Sequence, residues 1–533
     1  MTLIVTNLAK SGPGTLRTLL PIAGNGDVIT FAVTGLITNI NAGGFVISNN
    51  INIVGPGPGV LTSLCTNWYP GFVVNGGATS TISGLTFTHC SSPVRNSGSL
   101  TVSNCVFTGN YASSGSITVN NGSAGGSGSG GGAIYNTGML TAVNSQFMNN
   151  GAGVGGWGSP VPPYEIYGPN GYTTGGNGGI GGNGGAVYDI GTASFVNCTF
   201  GGNTAGNGGW GGYGESGTGN YASGSHGINP GPGFTGGNGG DGGNGGAVFT
   251  ATGAKFVNCT FYGNSAGNGG NASSDLSGNG GQGGSGGNAG FGGSGGALYG
   301  PRSSGTNFVL QNVLIAGNSY GYAGSAGSAG SSSGSHLTGT PGTNGLGSVD
   351  GTGADLSGCF ISCGHNLVSL GDASTGITNN VRNDIVGSGS AIDAMVNSLA
   401  DNGGFVNTCS LQPGSPAVDA GDDTLLLSPT NLTTDARGYP RKSGAHVDIG
   451  AFELPQLFMP VIGRVTMTSA GAQLTVTNAP GVTFTVLGTT DLTMPVGSWD
   501  VLGPMTEIAP GQFQWTDPDY ASYDFRFFSL RSP

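Results

Sequence analysis

Charge is scarce in this chain. Only 7% of the 533 residues are Asp, Glu, Lys or Arg, against about a quarter in an average domain. The 12 basic and 24 acidic residues leave a net charge of −12. Between Arg95 and Arg302 the only basic residue is Lys255. No groove there can neutralise several phosphates, which argues against nucleic acid as a partner and disfavours anionic membranes. No apolar run approaches the ~20 residues that span a bilayer, so no membrane span is expected. The glycines lack the strict G-X-Y period of collagen. The high charge that keeps disordered chains dissolved is also missing. Residues Met1–Lys10 have too short an apolar part, and no small-residue cleavage site, to be a signal peptide. Either the protein is cytoplasmic or Met1 opens a mature chain. The repeat described next favours the second reading, an extracellular or cell-surface location with no signal peptide in the sequence.

What is abundant is glycine, 114 residues, about three times the usual share. Hydrophobic residues make up 36% and include 23 Phe, which is material for a core. The strongest pattern is an internal repeat. Gly-Gly-Ala-aliphatic-aromatic occurs at Gly131–Tyr135, Gly184–Tyr188, Gly245–Phe249 and Gly295–Tyr299. An Asn follows the Ala by 11 residues in three copies (Asn144, Asn197, Asn258) and by 15 in the fourth (Asn312), where Pro301 marks extra loop. Asn104 heads the same pattern one copy earlier.

Aligned on that Asn, two residues before it and two after it read as inward. The sets are Leu100, Val102, Cys105, Phe107; Leu140, Ala142, Ser145, Phe147; Ala193, Phe195, Cys198, Phe200; Ala254, Phe256, Cys259, Phe261; and Phe308, Leu310, Val313, Ile315. This is strand alternation interrupted once, by a residue that tolerates left-handed φ. A second Asn lies six residues on: Asn110, Asn150, Asn203, Asn264 and Asn318. Stacked Asn side chains can hydrogen-bond along a stack and satisfy buried polar groups. Gly84, Leu85 and Phe87 precede Asn104, Cys105 and Phe107 by 20 residues, one turn of a small β-helix. The pattern predicts an all-β, right-handed parallel β-helix, stable only as a stack. A β-sandwich of repeated hairpins fits less well, because hairpin turns are not regularly placed.

The longer spacing of later copies predicts insertions at about 151–183, 206–244 and 267–294. In them glycine often fills two positions in three, as in the Gly-Gly-Asn run around Asn238. That period suits an extended helix of three residues per turn, a polyglycine II-like bundle; the bland alternative is a flexible loop. Trp157, Trp210, Tyr164, Tyr167, Tyr172, Tyr213 and Tyr221 lie in the insertions and suggest a contact face for neighbours or glycans.

Candidate chemistry is sparse. Cys105, Cys198 and Cys259 share an inward ladder position, and Cys198 and Cys259 read as stacked thiols because in-register Cβ atoms sit slightly too far apart to bridge. Cys359 and Cys363 are the best disulfide candidates. No Cys has metal-site spacing supported by His. A lyase or glycosidase needs paired carboxylates, or a base with calcium. The acids Glu165, Asp189, Glu215, Asp241 and Asp275 are scattered, and His89, His226 and His365 do not cluster. No catalytic residue and no cofactor is assigned, and a carbohydrate-active enzyme stays as an alternative. The densest charge is Asp419, Asp422, Asp435, Arg437, Arg441, Asp448 and Glu453. Asp419, Asp422 and Asp448 are weak candidates for structural calcium or a glycan. The plainer expectation pairs Asp435, Arg437, Arg441 and Glu453 in a cap that seals the last coil.

Those residues carry a likeness. Leu411-Gln-Pro-Gly-Ser-Pro-Ala-Val-Asp-Ala-Gly-Asp422, Asp435-Ala-Arg-Gly438 and Asp448-Ile-Gly-Ala-Phe-Glu453 resemble the signature of choice-of-anchor Q domain proteins. Gly364-His-Asn-Leu367, Leu399-Ala-Asp-Asn-Gly-Gly404, Ser11-Gly-Pro-Gly-Thr-Leu-Arg17 and Gly26-Asp-Val-Ile-Thr-Phe31 fit the same pattern. The resemblance covers about residues 1–453. It implies a bacterial extracellular parallel β-helix and assigns no catalytic residue. That family usually ends in an anchoring or sorting signal, whereas here Pro455 and Pro460 flank a linker to short alternating strands. Val486-Leu-Gly-Thr-Thr-Asp-Leu492, Trp499 and Phe525-Arg-Phe-Phe528 are similar to a small β-sandwich module at the C-termini of secreted bacterial proteins.

The expected organisation is a β-helix with glycine-rich insertions over 1–355, final coils and cap over 356–453, and a β-sandwich over 461–533. The expected role is a secreted structural or adhesive scaffold, associating with itself head-to-tail or laterally into filaments. A glycan-binding module is a further alternative, with extracellular glycans as the partner. Ice is a weak one, since only Thr199 and Thr260 face outward in register.

Overall fold

A computed structural model describes the chain except residues 40–42, 66–68, 118–121, 161–173, 214–234, 275–277, 280–284, 301–307, 330–331, 334–342, 429, 456–460, 479–481 and 532–533. Glu165, Glu215, Asp275, His226, Pro301, Tyr164, Tyr167, Tyr172 and Tyr221 therefore lie outside the described residues.

The fold is a parallel β-helix of three long sheets with 10, 9 and 10 strands. One coil shows the design. Ile134–Asn136 lies in the second sheet, Met139–Val143 in the first, and Gln146–Met148 in the third. Each pairs in parallel with its counterpart one coil on, Leu140 with Ala193 and Phe147 with Phe200. The bend between first and third sheets falls on Asn104, Asn144, Asn197, Asn258 and Asn312, at φ of 49°, 47°, 52°, 50° and 57°. A short helix at Leu16–Leu19 buries Leu16 and Leu20 against the first strands, covering the start of the core.

Inside, like stacks on like. All twenty residues read as inward are buried. Phe87, Phe107, Phe147, Phe200 and Phe261 form one stack, with successive ring centroids 4.7, 4.9, 4.6 and 4.5 Å apart. Such pairs add about 0.5–1.5 kcal/mol each beyond the area they bury.

Five excursions leave the helix after the second Asn of a coil. Each returns at a Gly whose φ is positive: 71°, 66°, 69° and 71° at Gly131, Gly184, Gly245 and Gly295, and 71° at Gly353. A Cβ at Gly184 would stand 2.1 Å from the Val187 carbonyl oxygen, so the first Gly of Gly-Gly-Ala is obligatory. The described parts of the excursions are held in a regular hydrogen-bond lattice. Along one outgoing segment, Ala152, Gly155 and Gly158 donate to Thr204, Asn207 and Trp210 carbonyls of the next coil at 2.9, 2.8 and 2.8 Å. Their neighbours Gly153, Gly156 and Ser159 donate to Ser129, Gly126 and Ser123 at 2.8, 2.7 and 3.0 Å, on the preceding return segment. Donor direction thus turns with a three-residue period, as in a polyglycine II-like bundle. Two residues of each triplet face other backbones and the third faces out.

The chain leaves the last coil after Ile385–Val386. The following segment, to Glu453, does not seal the end of the helix as a cap. It lies along its flank. Asn407 N–H donates to Gln146 Oε1 at 2.9 Å, Asn197 Nδ2 to the Thr434 carbonyl at 2.9 Å, and Ala451 N–H to Thr260 Oγ1 at 2.9 Å. Asn312 Nδ2 reaches the Asp448 carbonyl at 2.8 Å. This strap touches six successive coils, from Val106 to Leu367, and covers the apolar outward positions of the third sheet at Val106, Leu314 and Leu367. Thr199 and Thr260 do point outward, but beneath the strap, where both are buried.

At the C-terminus, two antiparallel sheets share one core. Val461–Thr468, Gly471–Thr477, Gln512–Asp517 and Thr506–Ala509 form the first. Asp500–Pro504, Thr485–Thr489 and Phe527–Arg531 form the second. Leu474 and Phe513 from one pack with Val486 and Leu530 from the other.

Candidate functional sites

Four places gather polar or aromatic side chains: the Asn ladders, the strap, a cleft beside the last coils, and the outer faces of the glycine bundle.

The second Asn series is a continuous ladder. Asn110, Asn150, Asn203 and Asn264 each donate Nδ2 to the next Asn Oδ1, at 2.9, 3.0, 2.9 and 2.9 Å. Asn318 passes the chain to Asp355 Oδ1 at 2.8 Å. An acceptor-only group ends the row, and its burial raises the Asp355 pKa to about 6. The first Asn series is broken: Asn197 reaches Asn144 and Asn312 reaches Asn258, and their remaining contacts hold the strap. The sequence reading missed a third row, Asn96–Asn136–Asp189–Thr250, joined at 2.7, 2.6 and 3.0 Å. Its signal was the polar residue just after the aromatic of the repeat. Asp189, one of the scattered acids, is thus a buried link, with its pKa raised by burial.

Cys359 and Cys363 are not joined. Phe360 and Ser362 point inward, so Cys359, Ile361 and Cys363 face outward around a bend, on separate strands. The disulfide joins Cys65 and Cys90, whose Cα atoms are 4.7 Å apart. Cys105, Cys198 and Cys259 are buried thiols donating to carbonyls of their own and the preceding coil. Burial pushes Cys105 and Cys409 up to about 12. Brief native alkylation is therefore expected to label Cys363, which is exposed, and to leave Cys105, Cys198, Cys259 and Cys409 unlabelled until unfolding; peptide mapping reads this directly.

In the strap, Arg437 Nη2 meets Asp435 Oδ2 at 2.7 Å, and Arg441 Nη1 stands 3.7 Å from Glu453 Oε2. Arg437 also lies over Phe452, 3.8 Å from the ring centroid. Arg441 is fully buried and donates Nη2 to the Asp448 and Gly450 carbonyls at 2.6 and 2.7 Å. Three carboxylates thus face two guanidinium groups. Burial raises Glu453 to about 8 and Asp448 to about 6, with Arg441 pulling both back. Asp355, Asp448 and Glu453 all bind protons more tightly folded than unfolded. Their contribution is complete below about pH 4 and is lost as pH rises through about 6 and then about 8. Thermal unfolding is expected to show a midpoint that falls from pH 5 to pH 9; a steadily rising one contradicts this assignment.

The calcium candidates do not converge. Asp448 accepts the Asp419 and Leu454 N–H groups, Asp419 accepts His446 N–H, and Asp422 caps the turn Asp423–Leu426. No group of three or more His, Cys, Asp or Glu among the described residues is arranged to hold a metal. The structure does bring together what the sequence kept apart. His365, Asn383, Asp384, Asp419 and His446 line a cleft of about 480 Å³ between the last coils and the strap. His365 and Asp419 both have positive φ, 55° and 54°. His365 Nδ1 donates to the Ala420 carbonyl at 2.9 Å, which leaves Nε2 to accept from Asn383 Nδ2 at 3.0 Å.

The outer faces of the bundle are built from the third residue of each triplet. There an Asn turns its oxygen onto the backbone of the next coil: Asn177 accepts Asn238 N–H, Asn238 accepts Asn288 N–H and Asn288 accepts Leu346 N–H, at 3.0, 2.8 and 2.8 Å. This explains why Gly-Gly-Asn recurs. On the outgoing face Trp157 and Trp210 stack, centroids 5.6 Å and planes 12° apart.

No known family's profile matches this chain, and no curated protein is similar to it. Among the described residues no helix is long and apolar enough to cross a membrane.

Proposed function

We propose that this protein is an extracellular structural and adhesive scaffold, of the kind the choice-of-anchor Q resemblance implies. The observation that carries the reading is the glycine bundle. It commits two N–H groups of every three to backbone carbonyls and displays every third side chain in registered rows on a nearly uncharged surface. Such a surface is suited to presentation and contact. The Cys65–Cys90 disulfide supports an oxidising compartment.

Self-association is part of the proposal. The Leu16–Leu19 helix covers the first coil, so addition of strands at that end is hindered. The sandwich instead offers an edge strand, Val461–Thr468, with Val465 and Met467 50% and 65% exposed. Negative-stain electron microscopy over a concentration series tests this. Filaments that disappear in Met467→Glu are expected; isolated rods at every concentration sink the filament idea.

A carbohydrate-active enzyme is the second reading, favoured by the cleft that holds His365, Asp384, Asp419 and His446. It predicts polysaccharide cleavage that His446→Gln abolishes.

A further inference from the structure

We infer that the outgoing face of the glycine bundle binds a neutral polysaccharide, seated against Trp210 and across the neighbouring Asn rows. The inference rests on the adhesive reading and names what is adhered to.

The side chains on this face form a grid. Positions along one segment repeat every three residues, about 9.3 Å apart at the rise of such a helix. Adjacent coils are about 4.8 Å apart. One row runs through Asn207, Asn268 and Tyr322, fixed because Asn268 N–H donates to Asn207 Oδ1 and Tyr322 N–H to Asn268 Oδ1, each at 2.8 Å. The next row runs through Trp157, Trp210 and Asn271, and Asn271 Oδ1 accepts Ser325 N–H at 2.9 Å.

Two consequences follow for a ligand. Each of these Asn side chains has its oxygen committed to the bundle, so its orientation is set and its Nδ2 group points away as a donor. The indole stack, meanwhile, stops at Trp210. Trp157 and Trp210 are 53% and 54% exposed, and the next coil has Asn271 where a third ring would continue the stack. A depression of about 290 Å³ lies there, bounded by Trp210, both Asn rows and Tyr322. A second of about 460 Å³ adjoins it, sharing Trp210 and Asn271 and reaching Trp157.

The chemistry of the occupant is constrained. Among the described residues that line the two depressions none is charged, so none of them offers an anion or a cation a counter-charge. An apolar surface laid here would bury amide donors unpaired, at about 1–3 kcal/mol each. A sugar ring meets both demands: its C–H face lies on the open face of Trp210, and its hydroxyl oxygens accept from Asn207, Asn268 and Asn271. Two adjoining depressions ask for linked sugars rather than a monosaccharide.

The test titrates the full chain with cellohexaose, maltohexaose and chitohexaose, by calorimetry and tryptophan fluorescence, with hexagalacturonate as the charged counter-probe. At least one neutral hexasaccharide is expected to bind and shift the emission. Trp210→Ala and Asn271→Asp are each expected to weaken it tenfold or more. Asn271→Asp keeps an oxygen for Ser325 N–H while replacing the amide donor by a negatively charged acceptor, and unchanged thermal unfolding verifies that the bundle is intact. Three results overturn the inference: no neutral hexasaccharide binding at millimolar concentration, binding that survives both substitutions, or tighter binding of hexagalacturonate than of every neutral probe. Its failure is distinct from that of self-assembly, since rods without filaments leave the titration unaffected.

Discussion

Replacing Gly209 by alanine is expected to destabilise the bundle by about 3 kcal/mol, whereas replacing its neighbour Trp210 by alanine costs about 1 kcal/mol at most. Gly209 N–H donates to the Gly179 carbonyl at 2.8 Å, and its own carbonyl accepts from Gly240 at 2.9 Å. Its φ is not in the left-handed region, so backbone strain is not the reason. A Cβ there would stand 2.0 Å from Gly156 oxygen and 2.9 Å from Gly155 oxygen. Both are backbone atoms held in the hydrogen-bond lattice, so neither can yield without opening it. Trp210 faces solvent and loses only its ring contact with Trp157. Thermal unfolding of the two variants, with hydrogen exchange across 174–183 and 204–213, separates the cases. Equal midpoints for Gly209→Ala and the parent would mean that the segments are not packed backbone to backbone.

The second large effect is expected at Arg441. Its side chain is fully buried and lies 3.7 Å from Glu453, with Asp435 and Asp448 also acting on it. Arg441→Ala removes one of the two guanidinium groups that face Asp435, Asp448 and Glu453, and leaving a buried charge without its partner costs about 3–5 kcal/mol. The loss falls on the strap first. Limited proteolysis is expected to cut within residues 392–453 of the variant under conditions that spare the parent, with the coils surviving. An Arg441→Met chain as resistant as the parent would show that volume, and not charge, holds the strap.

The coil was legible because its rules are local and repeated. Alternation around Asn144 and its equivalents gave the inward face, and the phase change at a residue tolerant of left-handed φ marked the bend. Glycine at two positions in three gave the bundle's period. What was not legible depended on which distant surfaces meet. Cys65 and Cys90 sit on neighbouring coils outside the clear repeats, so nothing in their spacing pointed to the bond. Cys359 and Cys363 are close in sequence yet diverge around a bend. The strap's acids and arginines were recognisable as one group, but not its path along the flank. The clue was the change of outward residues from Gln146, Thr199 and Thr260 to Leu314 and Leu367, which reads as ordinary strand variation until a covering segment is in view. His365 and His446 approach only because the strap folds back.

The glycine bundle separates what holds it together from what it shows. In most cores the same side chains fill space and specify the fold, so a changed surface often perturbs the interior. Here the interior is peptide backbone, identical from triplet to triplet, and one residue in three can vary without altering it. A coil added to the stack adds one more column to the display, and one triplet added to an excursion adds one more row. Such a molecule can rewrite its exterior residue by residue, like type set in a fixed frame, while the frame is inherited unchanged.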